Sequence, residues 1–224
     1  MPRNLTYSAL TLRVKASGES NREAWFLTSE EGIIKATVFG GPKSRLRAQV
    51  APFHEGKLWI YHDPVRDSRK VTDFDVHSYR TGLRELYDRI MTATGLAETI
   101  LAFHGGGGNW PEAFRLSGSV LDVLETADEA VSTRLGLYFM WHWAGILGLR
   151  DGLLVDSDSR QEGKAADSPL DLGPGATQWL KAIESLPAVG VKRVSMDNSS
   201  LQELRIFTQT MLGEALGQKL LLWN

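Results

Sequence analysis

The residues whose types and spacing could do chemistry are cations. Lys43, Arg45 and Arg47 stand at alternate positions in Gly40-Gly41-Pro42-Lys43-Ser44-Arg45-Leu46-Arg47, Lys35 precedes them, and no acidic residue lies between Glu31 and Glu55. Cations on a glycine-led loop neutralise a phosphate backbone without sequence preference and release its counterions. On composition alone the same run also reads as a solvated basic loop. Trp25, Phe39, Phe53, Trp59 and Tyr61 offer rings for base stacking nearby, although a small barrel takes most such rings into its core.

Other candidate chemistry is thinner. The tetraglycine at 105–108 is not followed by the Lys-Ser/Thr pair of a phosphate-binding loop, so it reads as a flexible link between helices. His54, His62 and His77, drawn toward Asp63, Asp73 and Asp75, form the nearest approach to a metal site, but lack a paired helical spacing and read as surface strand and loop histidines. A hydrolase built on them is a remote third alternative. His142, among Phe139, Trp141 and Trp143, reads as a hydrogen-bonded core histidine. There is no G-x-S-x-G elbow, and Ser117-Gly118-Ser119 falls within a helical period. With no cysteine in 224 residues, thiol nucleophiles, disulfides and Cys-ligated zinc are excluded. The expectation is a protein that is not an enzyme, without cofactor or metal.

The elements that must position the cations divide the chain in two. Residues 1–80 carry 13 basic and 9 acidic side chains, a net +4, while residues 81–224 carry 12 and 18, a net −6, so the overall −2 hides a basic part and an acidic part. In the first part the hydrophobic period is that of strands. Leu5, Tyr7 and Ala9 alternate, then Leu10, Leu12 and Val14, with a slip of phase between Ala9 and Leu10 that suits a bulge. Trp25–Thr28 and Ile33–Phe39 are joined across Ser29-Glu30-Glu31-Gly32, whose glycine suits a turn with positive φ. Leu58–Tyr61 and Val71–Tyr79 complete five strands, enough for an OB-fold barrel.

From residue 81 the period becomes helical. Leu83, Leu86, Tyr87, Ile90 and Met91 form the apolar stripe of a first helix to about Phe103, weakened at Gly95. Asn109 is a plausible N-cap for a second, with Pro111 in its first turn and Phe114, Leu121 and Leu124 facing inward. The run Val131, Leu135, Tyr138, Phe139, His142, Trp143, Ile146 and Leu147 makes a third, apolar enough for the bundle centre. Asp151–Pro174 reads as a polar loop, Ala176–Leu186 as a fourth helix, and Ser200–Trp223 as a fifth that opens with the capping box Ser200-x-x-Glu203. The fold class expected is α+β multidomain: an N-terminal five-stranded OB-fold β-barrel over 1–80, then an all-α helical bundle over 81–224 with a polar loop at 151–174.

The barrel sequence also resembles a known family. Asn21-Arg22-Glu23-Ala24-Trp25-Phe26-Leu27-Thr28-Ser29-Glu30-Glu31-Gly32-Ile33-Ile34-Lys35-Ala36, the basic run at 40–47 and Pro52-Phe53 are similar, in order, to the N-terminal OB domain of the RecO recombination mediators. The match is specific over residues 5–53 and supportive beyond, including Leu147-Gly148-Leu149 and Leu216-Gly217-Gln218-Lys219-Leu220. The resemblance implies a DNA repair and homologous recombination mediator. Such a protein binds single- and double-stranded DNA, anneals complementary strands and, with a RecR-type partner, helps load RecA recombinase onto DNA coated by single-strand binding protein. It further implies that Arg22, Lys35, Lys43, Arg45 and Arg47 contact DNA. Many members begin a zinc-binding insertion where this chain reads Asp156-Ser157-Asp158-Ser159-Arg160-Gln161-Glu162-Gly163, so it resembles a member that lacks the zinc-binding cysteines.

The competing reading is an interaction scaffold whose OB and helical domains dock partner proteins with little direct DNA binding. An acidic, apolar-ended peptide would then need a cation over an apolar floor, for which Arg134 beside Val131, Leu135 and Tyr138 is the candidate. The opening residues alternate instead of forming a signal-peptide core, and no stretch is long and apolar enough to span a bilayer. The expected location is therefore cytoplasmic, nucleoid-associated and away from membranes.

Overall fold

Alternating apolar residues in the first 78 positions bury one face of each strand, and the strands close on themselves to do so. The computed structural model describes residues 4–41, 43–150 and 172–217. Strands β1 (Asn4–Ser17), β2 (Asn21–Thr28), β3 (Gly32–Val38), β4 (Glu55–Asp63) and β5 (Ser68–Ser78) form a closed barrel in the order β1-β2-β3-β5-β4. Neighbours are antiparallel except β3 and β5, which meet in parallel at Thr37 and Lys70. Tyr7, Ala9, Ala24, Phe26, Ile34, Ala36, Leu58, Ile60 and Phe74 fill the interior, with Phe26 and Phe74 edge to face at 5.9 Å. The five-stranded barrel expected from the sequence is the one observed.

The slip of phase in β1 is real, but it lies further along. Pairing with β2 shifts between Thr11 and Arg13. There β1 leaves the ladder of β4 and bonds the segment before it, Thr11 N–H to His54 O at 2.9 Å and Phe53 N–H to Thr11 O at 2.7 Å. Before the bulge, Tyr7 and Ala9 point into the barrel, while Leu10 and the bulged Leu12 point out into the core of the helical part. Beyond it Val14 returns to the barrel side. The apolar run is continuous because both faces of this stretch are buried.

The β2–β3 turn has the expected positive φ at Gly32 (72°), and a Cβ there would also meet the indole of Trp110. The Tyr7 hydroxyl donates to Glu31 Oε2 at 2.5 Å, and the Arg69 guanidinium pairs with the same carboxylate. Burial, followed by the hydrogen bond and charge of Glu31, pushes the Tyr7 hydroxyl up to about 12. Glu30 accepts from Ser8 N–H at the same end of the barrel. The other end is closed by the five-residue helix α1 (Arg45–Gln49), beside which Leu46 and Val50 pack on the barrel core.

The second part holds α2 (Tyr87–Ala102), α3 (Trp110–Leu124), α4 (Glu129–Ile146), α5 (Pro174–Ile183) and α6 (Asn198–Leu216), with single 3-10 segments at Thr81–Arg84 and Ala188–Arg193. As expected, α4 is central: Leu135, Phe139, Trp141 and Trp143 are fully buried, and Asp128 caps it by accepting from Val131 N–H at 2.7 Å. His142 is hydrogen-bonded to Ile183 O, and its ring lies 4.2 Å from that of Tyr138, tilted by 44°. Three expectations are corrected. The first helix starts later than its stripe implied, leaving Leu86 and Tyr87 exposed, and its inward face is Ala93, Leu96, Ala97 and Ile100, with Gly95 buried inside an unbroken helix. The cap of α6 is Asp197, which accepts from Ser200 N–H at 2.9 Å, while Glu203 accepts instead from Gly173 N–H ahead of α5. Gly217, at φ 65°, ends α6 before the expected Trp223. The loop residues 151–171, including Asp156–Gly163, and the terminal 218–224 lie outside the described residues.

The tetraglycine is a packed turn, not a flexible link. All four glycines have positive φ, Gly105 and Gly106 are buried, and a Cβ at Gly105 would stand 3.1 Å from Ile33. It presses the α2–α3 connection against the β2–β3 hairpin.

Barrel and helices share one core. Leu10, Leu12, Leu27 and Phe53 belong to the cluster that contains α2, α3 and α4. At the junction Arg80, itself at φ 45°, buries its guanidinium with 1% of the side chain exposed. It donates to Phe53 O at 3.0 Å, Glu55 Oε2 at 2.6 Å and Asp122 Oδ1 at 2.8 Å. Arg89 donates to Gly82, Glu125 and Ala127 carbonyls beside it.

Removing one member of a buried ion pair strands the other, so Arg80→Ala is expected to lower unfolding free energy by about 3–5 kcal/mol, read from urea denaturation. Arg80→Lys should recover little, because one ammonium cannot span three acceptors. His54, 7% exposed, and His142 are held neutral, their imidazoles lowered first by burial. In the unfolded chain they take up protons near pH 6.5, so stability is full above that value and declines as pH falls toward their folded-state values. His54→Gln and His142→Gln should each flatten the change in urea midpoint between pH 7.5 and 5.5.

Candidate nucleic-acid interface

The β2–β3 hairpin separates charge along its length. Glu30 and Glu31 occupy its turn, where they are bound to Ser8, Tyr7 and Arg69; Arg22 and the exit toward Lys43 lie at the far end, about 20 Å away at 3.3 Å per residue, where the one hairpin acid, Glu23, pairs with Lys35. There β3 runs out through Phe39, Gly40 and Gly41 into Lys43 and α1.

The expected DNA-contacting residues fall into two groups. Arg22 shares the inward parity of Ala24 and Phe26, but sits at the mouth of the barrel and donates to Arg47 O at 3.5 Å. Arg47 in turn donates to Ser20 O at 3.5 Å, tying α1 to the β1–β2 turn. Lys43 and Arg45 are exposed beside them. The basic run is not an extended loop with its cations on one side: Arg45 and Arg47 stand on a helical turn about 200° apart, so Arg45 faces solvent while Arg47 lies half-buried against the turn. None of Arg22, Lys43, Arg45 and Arg47 has a carboxylate within 4 Å among the described residues.

Lys35 belongs to the second group, on the outer face of the barrel. Its ammonium pairs with Glu23 Oε1 at 2.7 Å and lies 5.2 Å from the ring centroid of Trp25, its direct partner across β2 and β3. Lys15 on β1 approaches the same ring at 5.8 Å. The two groups meet around the β1–β2 turn, since Lys15 pairs with Glu23 and Arg22 with Ala16.

The rings were expected mostly in the core, and only Phe53 is there, 4% exposed. Trp25, Phe39, Trp59 and Tyr61 stand outside, three of them under a lysine: Lys35 and Lys15 at Trp25, Lys70 at Phe39 (5.2 Å) and Lys57 at Trp59 (5.4 Å). Lys15 and Lys70 were missed by sequence reasoning. Parity could have placed Lys15, because it follows the bulge by an even count on the outward side.

Val131, Leu135 and Tyr138 are buried in the bundle, and the Tyr138 hydroxyl donates to Leu186 O at 2.9 Å. They form no open floor beside Arg134, whose Nε is itself buried without a hydrogen-bond partner. The barrel histidines also part: His54 is buried with Nδ1 2.8 Å from Gln49 O, His62 faces Asp67 and His77 faces Glu55. Among the described residues no cluster of three or more metal-ligating side chains occurs, and no helix is long and apolar enough to cross a membrane.

Residues 1–79 match the family model described as Recombination protein O N terminal. Over 221 residues, 96% of this chain and 77% of each relative, the chain is 28% identical to proteins named DNA repair protein RecO from two strains of Desulfitobacterium hafniense.

Lys43 and Arg45 are exposed, and Arg47 makes one long hydrogen bond, 3.5 Å to Ser20 O, so the three can be removed without unfolding the chain. Replacing Lys43, Arg45 and Arg47 together by Ala is expected to change unfolding free energy by no more than about 0.5 kcal/mol per site, measured by urea denaturation alongside Arg80→Ala.

Proposed function

From the premise that this chain belongs to the RecO family of DNA repair and recombination proteins, we propose that its barrel end binds DNA through phosphate contacts. Arg22, Lys43, Arg45 and Arg47, with Lys35 on the adjoining flank, are the residues assigned to that contact. The observation that carries the reading is their lack of internal carboxylate partners, Lys35 excepted, in a chain whose arginines at the domain junction are all bonded within the fold. A cation without an internal partner keeps its full Coulomb attraction for an external polyanion.

The activity that follows is annealing of complementary strands, single strand and duplex both being bound. Annealing needs no nucleophile and no general base. It needs two polyanions held together against their repulsion, and charge neutralisation by a cationic surface does that. The partners proposed by the family resemblance are a RecR-type mediator and single-strand binding protein, with RecA recombinase as the protein finally loaded onto DNA. The scaffold alternative loses its specific support, because the apolar residues assigned to its peptide groove are interior.

With about four to six phosphate contacts, the logarithm of single-strand affinity should fall with the logarithm of salt at a slope of roughly −3 to −4. Fluorescence anisotropy of a labelled oligonucleotide across a sodium chloride series measures it. Lys43, Arg45 and Arg47 replaced together by Ala should weaken binding and flatten the slope by about 2. Unchanged affinity and slope would remove these residues from the interface, and a parent protein that fails to bind at moderate salt would restore the scaffold reading.

A further inference from the structure

The outer face of β3 carries more than charge. Its outward residues are Ile33, Lys35 and Thr37, with Phe39 just past its end; Ile33 is covered by the helical core, Thr37 is half-buried, and Lys35 and Phe39 are open. At one end of the open stretch Trp25 lies opposite Lys35, half-buried, its indole making no hydrogen bond among the described residues. At the other end stands Phe39, 46% exposed, beneath the Lys70 ammonium. From Lys35 to Phe39 is four residues of strand, about 13 Å, and the next residues are Gly40 and Gly41 leading to Lys43.

We propose that Trp25 and Phe39 are stacking seats for two bases of a single DNA strand, with Lys15, Lys35 and Lys70 on its phosphates, and that these rings make the protein favour single strand over duplex. The proposal rests on the DNA-binding reading and assigns it a base-contacting part. Cations alone would not favour single strand, because duplex presents phosphates at higher density than a single strand. Rings do, since the faces of duplex bases are already stacked on each other and only an unpaired base can lie on a side chain.

The magnitudes favour exchange. In the free protein the lysine heads occupy the ring faces, contacts worth roughly 0.5–1 kcal/mol at exposed sites. A stacked base is worth about 1–3 kcal/mol, and the displaced ammonium gains a phosphate. The pair between Lys35 and Glu23 at 2.7 Å opposes this, for the carboxylate stands where a phosphate would. Glu23 therefore restrains binding on this face.

The same construction at Trp59 points the other way. Lys57 lies over that ring, but the cross-strand partners of Trp59 and Lys57 are Asp73 and Asp75, both exposed. Two carboxylates on the path repel a phosphate chain, so the β4–β5 face is not a continuation of the track.

The test compares full-length parent, Trp25→Ala, Phe39→Ala, Trp25→Phe and Glu23→Gln, each checked for an unchanged thermal midpoint. Binding is measured by anisotropy at one salt concentration, with a labelled oligothymidine and a labelled hairpin duplex. Each alanine variant should lose roughly 5- to 150-fold in single-strand affinity and less than twofold on the hairpin, with the salt slope unaltered. Trp25→Phe should retain most of the affinity, and Glu23→Gln should tighten binding of the single strand. Equal losses on both ligands, or no loss on the single strand, would overturn the stacking assignment. The triple substitution at Lys43, Arg45 and Arg47 separates the two readings: if it weakens binding while both alanine variants bind as the parent does, phosphate contact stands and stacking falls.

Discussion

The Arg80 guanidinium is the contact on which the arrangement of the two halves depends. It reaches Phe53 O and Glu55 on the barrel side and Asp122 and the Gly118 carbonyl on α3, and is itself shielded from water, although Asp122 is open to it. A planar fork with five donors suits this geometry, and its desolvation is tolerable because it is so fully paired. Its backbone, at φ 45°, turns the chain sharply out of β5. A Cβ at Gly118 would stand 3.0 Å from Glu55, so α3 approaches the ion pair closely because that position carries no side chain.

Fixing the bundle there decides which barrel surface is left for function. Leu10, Leu12, Leu27 and Ile33 are covered by helices and by the packed tetraglycine turn. One step further along the same strands, Lys15, Trp25 and Lys35 emerge. The bulge at Thr11–Arg13 lies on this boundary and reverses the parity of β1, so that Val14 returns to the barrel and Lys15 faces out. Arg13, across from Trp25, turns its guanidinium to Glu98 on α2 and marks where the interior contacts end. Covered and open surface thus adjoin on a single three-stranded face.

Legibility followed the physics of each signal. Period and turn chemistry located all five strands, the Gly32 turn and the central helix, since these depend on local sequence. Errors arose where a tertiary contact overrode a local rule. Leu86 and Tyr87 extend a good helical stripe but are exposed because the 3-10 segment at Thr81–Arg84 delays the helix. Ser200-x-x-Glu203 has the form of a capping box, yet Asp197 supplies a better acceptor and Glu203 is taken by Gly173. The barrel aromatics were assigned to the core by composition, although Trp25 and Trp59 have outward parity on strands whose alternate residues are already large enough to fill the interior. For the site, residue type was readable and direction was not: the alternation of Lys43, Arg45 and Arg47 carries meaning in an extended loop and loses it in a helical turn.

Pairing, more than net charge, identifies the basic surface. Arg13, Arg69, Arg80, Arg89 and Arg150 each have a carboxylate partner, and with those partners they contribute little to the external field. Subtracting such pairs from a chain of net −2 leaves the barrel end basic, because Arg22, Lys43, Arg45 and Arg47 have no carboxylate within 4 Å among the described residues. Glu23 is taken by Lys35, Glu30 and Glu31 are engaged at the opposite turn of the hairpin, and only the exposed Glu19 of the β1–β2 turn stands against them there. The local potential a polyanion meets is set by these uncompensated charges within about a Debye length of 8–10 Å, a distance shorter than the hairpin itself. A weakly acidic protein can therefore present a cationic end, provided that most of its acids are either paired or placed more than that length away.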